Sequence, residues 1–203
     1  MIKTGLLIPI PNLLSFIGSA GAGKDECSKA IKEILPGGEW RNLKWSSKLK
    51  EIASLLTGIP RENWESQEFK AANLGPEWNL EGMDKFLEAK AIPMTGRMFL
   101  QRLGEGLRAN LHKNLWINSM KSELDKPGNY CITDTRYRNE VSLIKERGGI
   151  IIRVINPRVE NKDTHISERE LDMLRADYEI INDGTIEDLR QKVLEVLKKM
   201  KLC

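Results

Sequence analysis

The stretch that decides the fold is Leu13-Leu-Ser-Phe-Ile17, followed directly by Gly18-Ser-Ala-Gly-Ala-Gly-Lys-Asp25. The first five residues are an apolar run of strand length, and the next eight contain Gly-x-x-x-x-Gly-Lys, the spacing of a phosphate-binding loop. Its glycines let the backbone turn tightly and direct successive N–H groups at phosphate oxygens. A helix that starts here adds the positive end of its dipole, and the lysine adds a charge. The stretch therefore predicts nucleotide binding.

The alternative is that these glycines and alanines form a flexible linker. The residues that follow argue against it, because Ala30, Ile31, Ile34 and Leu35 fall at helical spacing. Pro36-Gly37-Gly38 then ends the helix. Strand, glycine-rich turn, lysine and helix together form the context in which a phosphate-binding loop is expected.

Asp25 departs from the common motif, in which a serine or threonine hydroxyl follows the lysine and meets Mg²⁺. One interpretation is that its carboxylate merely favours the helix dipole. The other is that it holds Mg²⁺, because an anion beside a triphosphate is tolerated when a cation lies between them. We favour the metal interpretation.

Composition limits the function classes that need to be considered. With 203 residues, 32 Lys and Arg against 29 Asp and Glu, the chain is of single-domain size and nearly balanced in charge. This balance does not indicate nucleic-acid binding. The segment Gly5–Pro11 is too short and too interrupted by proline for a signal peptide or a membrane span. Three cysteines without metal-ligand spacing indicate a reducing, cytoplasmic setting.

Apolar runs alternate with helical patterns along the chain, which predicts an α/β fold with a parallel sheet and crossover connections. In the last helix the spacing predicts one apolar face of Ile186, Leu189, Val193, Val196 and Met200. The expected strands are 13–17, 40–45, 130–133, 150–155 and 177–181, and the expected helices include 46–56, one capped by Thr95, 114–124, 141–147 and 185–200.

A second constellation follows the third predicted strand. Asp134 stands at its carboxyl end, and Arg136 comes two residues later. Ligands of parallel α/β sheets bind outside the carboxyl ends of the strands, so we expect both side chains to face the same crevice as Lys24. Asp134 is a candidate Mg²⁺ ligand and Arg136 a candidate phosphate clamp, although an ordinary surface turn would also use these residues.

Two further segments carry candidate groups. The charge-rich stretch 153–169 contains Arg153 and Arg158, either of which could close over a phosphoryl group, although such a stretch is most often simply solvated. The loop Asn182-Asp-Gly-Thr185 lies between the last strand and the last helix, where an ordinary capped turn is the simpler interpretation.

Several motifs in this order resemble the deoxynucleoside monophosphate kinases of tailed bacteriophages and prophages. They are the Gly-Lys-Asp loop, Leu49-Lys50, Thr95-Gly-Arg97 with Leu100-Gln-Arg-Leu-Gly104, Ile132-Thr-Asp-Thr-Arg-Tyr-Arg-Asn-Glu140, and Asp163-x-His165-x-Ser167-Glu168. The resemblance runs from about Leu13 to the C-terminal helix, and the loop is its most specific element. It implies a three-layer fold like that of adenylate kinase, with a five-stranded parallel sheet flanked by helices.

The same resemblance implies one kinase domain over 1–203, with a helical nucleoside-monophosphate-binding region at about 40–125 and a lid-like segment at 156–170. It implies Mg²⁺-dependent transfer of the γ-phosphoryl group of ATP to a deoxynucleoside monophosphate, with nucleotides as the partners and a homodimer left open. The implied ATP contacts are Gly18, Ser19, Ala20, Gly21, Ala22, Gly23, Lys24, Asp25, Glu26, Asn182, Gly184 and Thr185. The implied acceptor contacts are Lys50, Arg97, Arg136, Asp163, His165 and Glu168.

Three positions depart from the family pattern. Glu26 stands where threonine is common, Lys48 where proline is common, and Asn156 where an arginine precedes proline, with Arg158 one place beyond Pro157. These departures keep two alternatives open: a kinase for another small phosphorylated metabolite, and a nucleotide-binding module with weak catalysis. The resemblance does not indicate which base of the acceptor is preferred, because residues 58–92 match the family least.

Overall fold

The computed structural model describes residues 12–80, 91–159, 171 and 173–203, and it divides the chain into two compact units. The first, here the sheet unit, comprises the described residues up to Trp45 and from Ile117 onward. The second, here the helical unit, comprises Ser46–Trp116.

The sheet unit contains five strands in its described residues, and they form one parallel sheet in the order β2-β3-β1-β4-β5. The strands are β1 (Leu13–Ile17), β2 (Trp40–Leu43), β3 (Asn129–Ile132), β4 (Ile150–Ile155) and β5 (Tyr178–Ile181). The helices given by its described residues include α1 (Lys24–Ile34), α5 (Leu115–Leu124), which begins at the boundary between the units, α6 (Arg138–Glu146) and α7 (Ile186–Lys199). The parallel α/β class predicted from the alternating pattern is confirmed.

Two apolar clusters cover the two faces of this sheet. On one face Leu14 and Phe16 of β1 pack with residues of α1 and α7, and on the other Leu13 and Ile17 pack with residues of α5 and α6. Alternate residues of a strand point to opposite faces, so a fully buried β1 supplies both clusters. The result is the three-layer arrangement expected from the sequence.

Two sequence expectations about the core have different outcomes. Cys27 and Cys131 are buried free thiols, as expected for small core residues, and burial raises their pKa values to about 12 and about 11.

The apolar face predicted for α7 is wrong at its first residue, because Ile186 is 74% exposed and the fully buried Leu197 completes the face instead. Ile186 is the first residue of its helix, whereas Leu197 belongs to the cluster around β1.

The helical unit contains α2 (Ser46–Thr57), α3 (Gln67–Ala71) and α4 (Gly96–Asn110), with short 3₁₀ turns at Arg61–Glu65 and Pro76–Trp78. Thr95 caps α4 as predicted, accepting a hydrogen bond from the Met98 N–H at 3.2 Å. An aromatic cluster stabilises the region: Trp64 is fully buried between Phe69 and Phe99, and Trp78 contacts Phe99 edge-on.

Candidate active site

The loop between β1 and α1 has the backbone conformation of a tight, glycine-dependent turn. Gly18 has φ +140° and Gly23 has φ +105°, values that residues with a Cβ rarely adopt. A Cβ on Gly18 would collide with the carbonyl oxygen of Val154, and one on Gly23 would lie 2.5 Å from Nδ2 of Asn182. These glycines are therefore required both by conformation and by the closeness of β4 and of the loop after β5.

Lys24 is held by the loop that precedes it. Its Nζ donates hydrogen bonds to the carbonyl oxygens of Gly18 and Ser19, both at 2.7 Å. Because Lys24 is also the first residue of α1, its ammonium lies at the start of a helix, where the dipole favours anions. The lysine charge and the helix start thus lie together at the loop, as expected of a phosphate site.

Asp25 lies at the meeting point of three elements of the sheet unit. Its Oδ1 accepts a hydrogen bond from the Thr133 hydroxyl at 2.6 Å, just after β3, and lies 3.2 Å from Nζ of Lys44, just after β2. Partial burial raises the pKa of this carboxyl, but the Thr133 hydrogen bond and the Lys44 charge outweigh it, and the net shift is downward. Asp25 is therefore ionised at neutral pH.

The neighbouring acid, Glu26, is engaged elsewhere. Its Oε1 lies 2.7 Å from Nζ of Lys29, one turn further along α1. This pair is exposed to solvent and makes a small contribution to stability.

Asp134 is oriented by the chain that leaves β2. Its Oδ1 accepts a hydrogen bond from the backbone N–H of Trp45 at 2.8 Å, and the Trp45 indole N–H donates to the Thr135 hydroxyl at 2.9 Å. The Ser15 hydroxyl completes this buried network, 2.7 Å from that of Thr135. The network therefore links the segments that follow β2 and β3 to Ser15, the middle residue of β1.

Arg136 stands on a turn that Glu140 fixes. The buried Glu140 carboxylate accepts hydrogen bonds from the backbone N–H groups of Arg136, at 2.8 Å, and Tyr137, at 3.1 Å. This capping arrangement explains why α6 begins at Arg138, three residues before the predicted start at Val141. The sequence patterns gave Glu140 no role, although an acid three residues after the N-cap, here Tyr137, is a known capping signal.

The two candidate lid arginines lie in different surroundings. Arg153, on β4, donates from Nη2 to the carbonyl oxygens of Leu171 at 3.2 Å and Leu174 at 2.6 Å, and its side chain is 17% exposed. Arg158 is exposed and donates from Nη2 to the carbonyl oxygen of Gly184 at 2.8 Å. Asp163, His165 and Glu168, the other residues predicted for this stretch, lie outside the described residues.

The loop after β5 is attached to the phosphate loop. Asn182 donates from Nδ2 to the carbonyl oxygen of Ala22 at 2.9 Å, and Thr185 caps α7 in a reciprocal capping box with Asp188. Gly184 is the partner of Arg158. The structure therefore brings the predicted 182–185 loop, Arg158 and the glycine-rich loop together.

In the helical unit, Lys50 is the notable charge. It is only 6% exposed, and its Nζ lies 2.6 Å from Oε2 of Glu65, whose other oxygen lies 2.7 Å from Nη1 of Arg61. Partial burial raises the pKa of Glu65, but the hydrogen bonds and charges of Lys50 and Arg61 outweigh it and lower the pKa to about 2. Lys50 belongs to a motif of the sequence, whereas no motif includes its partner Glu65.

Arg97 lies near the start of α4, where its Nη2 donates to Oε1 of Gln67 at 3.0 Å. Gln67 begins α3, and the Gly96 N–H donates to the carbonyl oxygen of Ala72 just beyond that helix. A Cβ on Gly96 would lie 3.2 Å from Cα of Lys70, so the small residue permits the close approach of α3 and α4 that positions Arg97.

The residues around Asp25 fit a divalent cation of the Mg²⁺ type. Carboxylate and hydroxyl oxygens are the ligands such a hard cation prefers, and the Lys44 ammonium shows that a cation is accommodated at the Asp25 carboxylate. Within the described ranges, no cluster of three or more His, Cys, Asp or Glu residues is arranged to hold a metal. A cation here would therefore complete its shell with other oxygens, such as those of a bound phosphate and water.

A parallel sheet with this loop between its central strand and the next helix defines a phosphate-loop nucleotide-binding protein. A profile of the deoxynucleotide monophosphate kinase family matches residues 56–193, more than half of the sequence. The chain belongs to that family, which confirms the resemblance drawn from the motifs. The match begins after the phosphate loop, so the loop geometry is a separate observation.

Individual relatives agree with this assignment over part of their length. The chain is 33% identical over 104 residues to a protein of Acanthamoeba polyphaga mimivirus, covering 48% of this chain and 52% of that one. It is 32% identical over 108 residues to the deoxynucleotide monophosphate kinase of Enterobacteria phage T4, covering 50% of this chain and 45% of that one. The chain thus spans about half the length of the curated relatives it matches.

Among solved structures, the dephospho-CoA kinase from Campylobacter jejuni aligns over 93% of this chain and 96% of its own. The TM-score is 0.44 and the sequence identity 15%, so this similarity carries no argument about function.

Proposed function

We propose that this protein transfers the γ-phosphoryl group of ATP to a deoxynucleoside monophosphate, giving ADP and a deoxynucleoside diphosphate. The observation that carries the proposal is the phosphate loop, which curls around Lys24 beside the ionised Asp25. Family membership supplies the acceptor class. Phosphoryl transfer needs no covalent intermediate, so positioning and charge neutralisation account for most of the catalysis.

For the donor, Lys24 and the amides at the start of α1 would bind the terminal phosphates. The attachment of Asn182 to Ala22 supports a role for the 182–185 loop beside the adenine, since it holds that loop against the phosphate site. Between the two arginines, Arg158 is the better candidate for closing over the phosphates, because the guanidinium of Arg153 is already bound to two backbone carbonyl groups.

For the acceptor, Arg136 would clamp the monophosphate, and its turn is held still by Glu140. Lys50 and Arg97 are the further phosphate ligands that we propose, and each is oriented by a partner, Glu65 or Gln67. Asp163, His165 and Glu168 remain predicted contacts to the acceptor nucleotide.

We propose Mg²⁺ as the cofactor, held by Asp25 and Asp134. When bound, Mg²⁺ would neutralise charge on the phosphate oxygens. Thr133 and the Trp45 backbone N–H would keep the two carboxylates oriented toward it.

The cytoplasm is the compartment we propose, since buried free thiols such as Cys27 and Cys131 suit a reducing environment. Within the described ranges, none of the helices combines the length and apolar content needed to cross a membrane. Small nucleotides, rather than nucleic acid, are the partners that the near-balanced charge supports. Sedimentation velocity would show whether the protein is a monomer or a homodimer.

The test is release of ADP, measured in a coupled assay with ATP, Mg²⁺ and each of the four deoxynucleoside monophosphates. We expect at least one of them to stimulate ADP release, and Lys24→Ala to lower that rate by about 10²-fold or more. Lys29→Ala, which removes a lysine from the same helix, is the matched control and should leave the rate within about twofold.

If none of the four acceptors stimulates ADP release from the wild-type protein, the proposal fails. Stimulation by another phosphorylated metabolite would establish a kinase with a different acceptor. Binding of ATP without any acceptor-dependent turnover would indicate the nucleotide-binding module instead.

A further inference from the structure

Lys44 is a cation that sequence analysis did not single out, and it lies against the phosphate site. It directly follows β2, and its Nζ is 3.2 Å from Oδ1 and 3.3 Å from Oδ2 of Asp25. The lysine side chain is 30% exposed, and both residues belong to the sheet unit. The ammonium therefore contacts both oxygens of a carboxylate that immediately follows the phosphate-loop lysine.

The position of Asp25 creates an electrostatic difficulty for nucleotide binding. An ionised carboxylate next to the loop repels a polyphosphate, because like charges at close range interact strongly at the effective dielectric of a protein surface. Lys24 also bears a positive charge, but its ammonium is bonded to the loop carbonyl groups of Gly18 and Ser19. Lys44 bonds to the carboxylate itself.

We propose that Lys44 is a built-in counter-cation for Asp25, which neutralises the carboxylate in the metal-free protein and yields it to the divalent cation that accompanies the nucleotide. The inference deepens the proposed function and rests on it. Lys44 is on this account a positioning residue, because it acts through Asp25. Because Lys44 neutralises Asp25, ATP without a metal ion should bind more tightly than it would beside an Asp25 carboxylate that lacks this lysine.

The experiment measures the dissociation constant of ATP by isothermal titration calorimetry, once in excess EDTA and once in excess Mg²⁺. In EDTA, Lys44→Met should weaken ATP binding about tenfold, because Asp25 then faces the phosphates without its cation. In Mg²⁺ the same variant should change the dissociation constant by less than about twofold, because the metal ion takes over the neutralisation.

A second background separates this effect from direct phosphate binding by Lys44. With Asp25→Asn already present, adding Lys44→Met should leave ATP binding in EDTA within about twofold, since no carboxylate charge remains to be neutralised. Lys29→Met is the matched control: it removes the same charge from an exposed pair with Glu26, and should change neither constant by more than about twofold.

Two results would overturn the inference. Equal weakening by Lys44→Met in EDTA and in Mg²⁺ would show that the lysine binds phosphate itself, and no change in either condition would show a solvated surface pair. Failure of the proposed function is distinguishable, because it is measured as absence of acceptor-stimulated ADP release, whereas this inference is measured by ATP binding alone.

Discussion

In the sheet unit the charged groups of the site follow the ends of strands, whereas in the helical unit they are held by side-chain partners. Lys24, Asp25 and Asp134 occupy positions that any phosphate-loop fold with this strand order would present at one edge of its sheet. Lys50 and Arg97 instead depend on Glu65 and Gln67, which orient them from separate short elements.

The difference teaches which parts of the site tolerate change. Backbone placement depends on glycine conformations and close approach, so a single added methyl group disrupts it. Side-chain placement depends on ion pairs and hydrogen bonds, which can be weakened in steps. The four predictions below test this contrast, beginning with the largest effect.

Gly18→Ala should cause the largest loss. The added methyl group meets the Val154 carbonyl oxygen at a φ that alanine rarely adopts, so we expect destabilisation of about 2–3 kcal/mol together with loss of ATP binding. Urea unfolding and calorimetry measure the two effects.

Gly37→Ala is the control for Gly18→Ala, because among the described residues, its chain neighbours apart, no atom lies within 4 Å of a Cβ there. It should leave ATP binding unchanged. Equal effects of the two substitutions would contradict the backbone account of the sheet unit.

Glu65→Gln should have the next largest effect. It leaves the buried Lys50 ammonium with a neutral partner, and we expect the unfolding free energy to fall by about 1–2 kcal/mol. Because Lys50 would lose its orientation, KM for the acceptor should rise about tenfold while kcat changes less. Steady-state kinetics with the deoxynucleoside monophosphate that stimulates ADP release measure KM and kcat separately.

Glu62→Gln, three residues away in the same 3₁₀ turn, is the matched control and should leave KM within about twofold. An unchanged KM in Glu65→Gln, with only stability lost, would assign Glu65 a structural role and remove the contrast between the units.

The pH dependence of stability should differ between wild type and Glu65→Gln. The folded-state pKa of Glu65 is lowered from its ordinary 4.5 to about 2, so its stabilisation is present above 4.5 and is lost as pH falls through about 2. The difference in urea midpoint between the two proteins should therefore shrink as pH falls from 5 to about 2. A difference that stays constant over this range would contradict the ion pair, and Glu62→Gln serves again as the control.

Gly106→Ala should have the smallest effect, and it should be favourable. Gly106 lies inside α4, and apart from its chain neighbours and the backbone of its own helix, the described part of the chain places no atom within 4 Å of a Cβ there. Replacing an interior helical glycine by alanine stabilises by about 0.5–1 kcal/mol. A rise in the thermal midpoint with unchanged kinetics checks this, and a loss of activity would contradict it.

Much of the sheet unit is predictable from its sequence. The strand Ile150–Ile155 has the predicted bounds, and the helix capped by Thr185 begins where its cap predicts. Such elements are encoded by local patterns: apolar runs of strand length and caps at helix starts. The second strand ends at Leu43, two residues before the predicted end, because the N–H of Trp45 bonds to Asp134.

Less of the candidate site in the helical unit is predictable. The family motif singled out Lys50 and Arg97, but no local pattern indicated Glu65 or Gln67. Lys50 and Glu65 are 15 residues apart, and Arg97 and Gln67 are 30 apart, far beyond the three- and four-residue spacing that links side chains on one helix. Such pairs form only when separate elements pack together.

The sequence by itself determined the phosphate loop, the parallel α/β class and the family, because glycine spacing, hydrophobic period and motif order are properties of neighbouring residues. Only the tertiary structure decided that Lys44 contacts Asp25, 19 residues away, and that Glu65 binds Lys50. It also decided that Arg153 is bound to backbone carbonyl groups, whereas Arg158 reaches the loop beside the phosphate site. The physical reason is that an ion pair depends on distance in space, which the packing of strands and helices sets and which sequence separation does not encode.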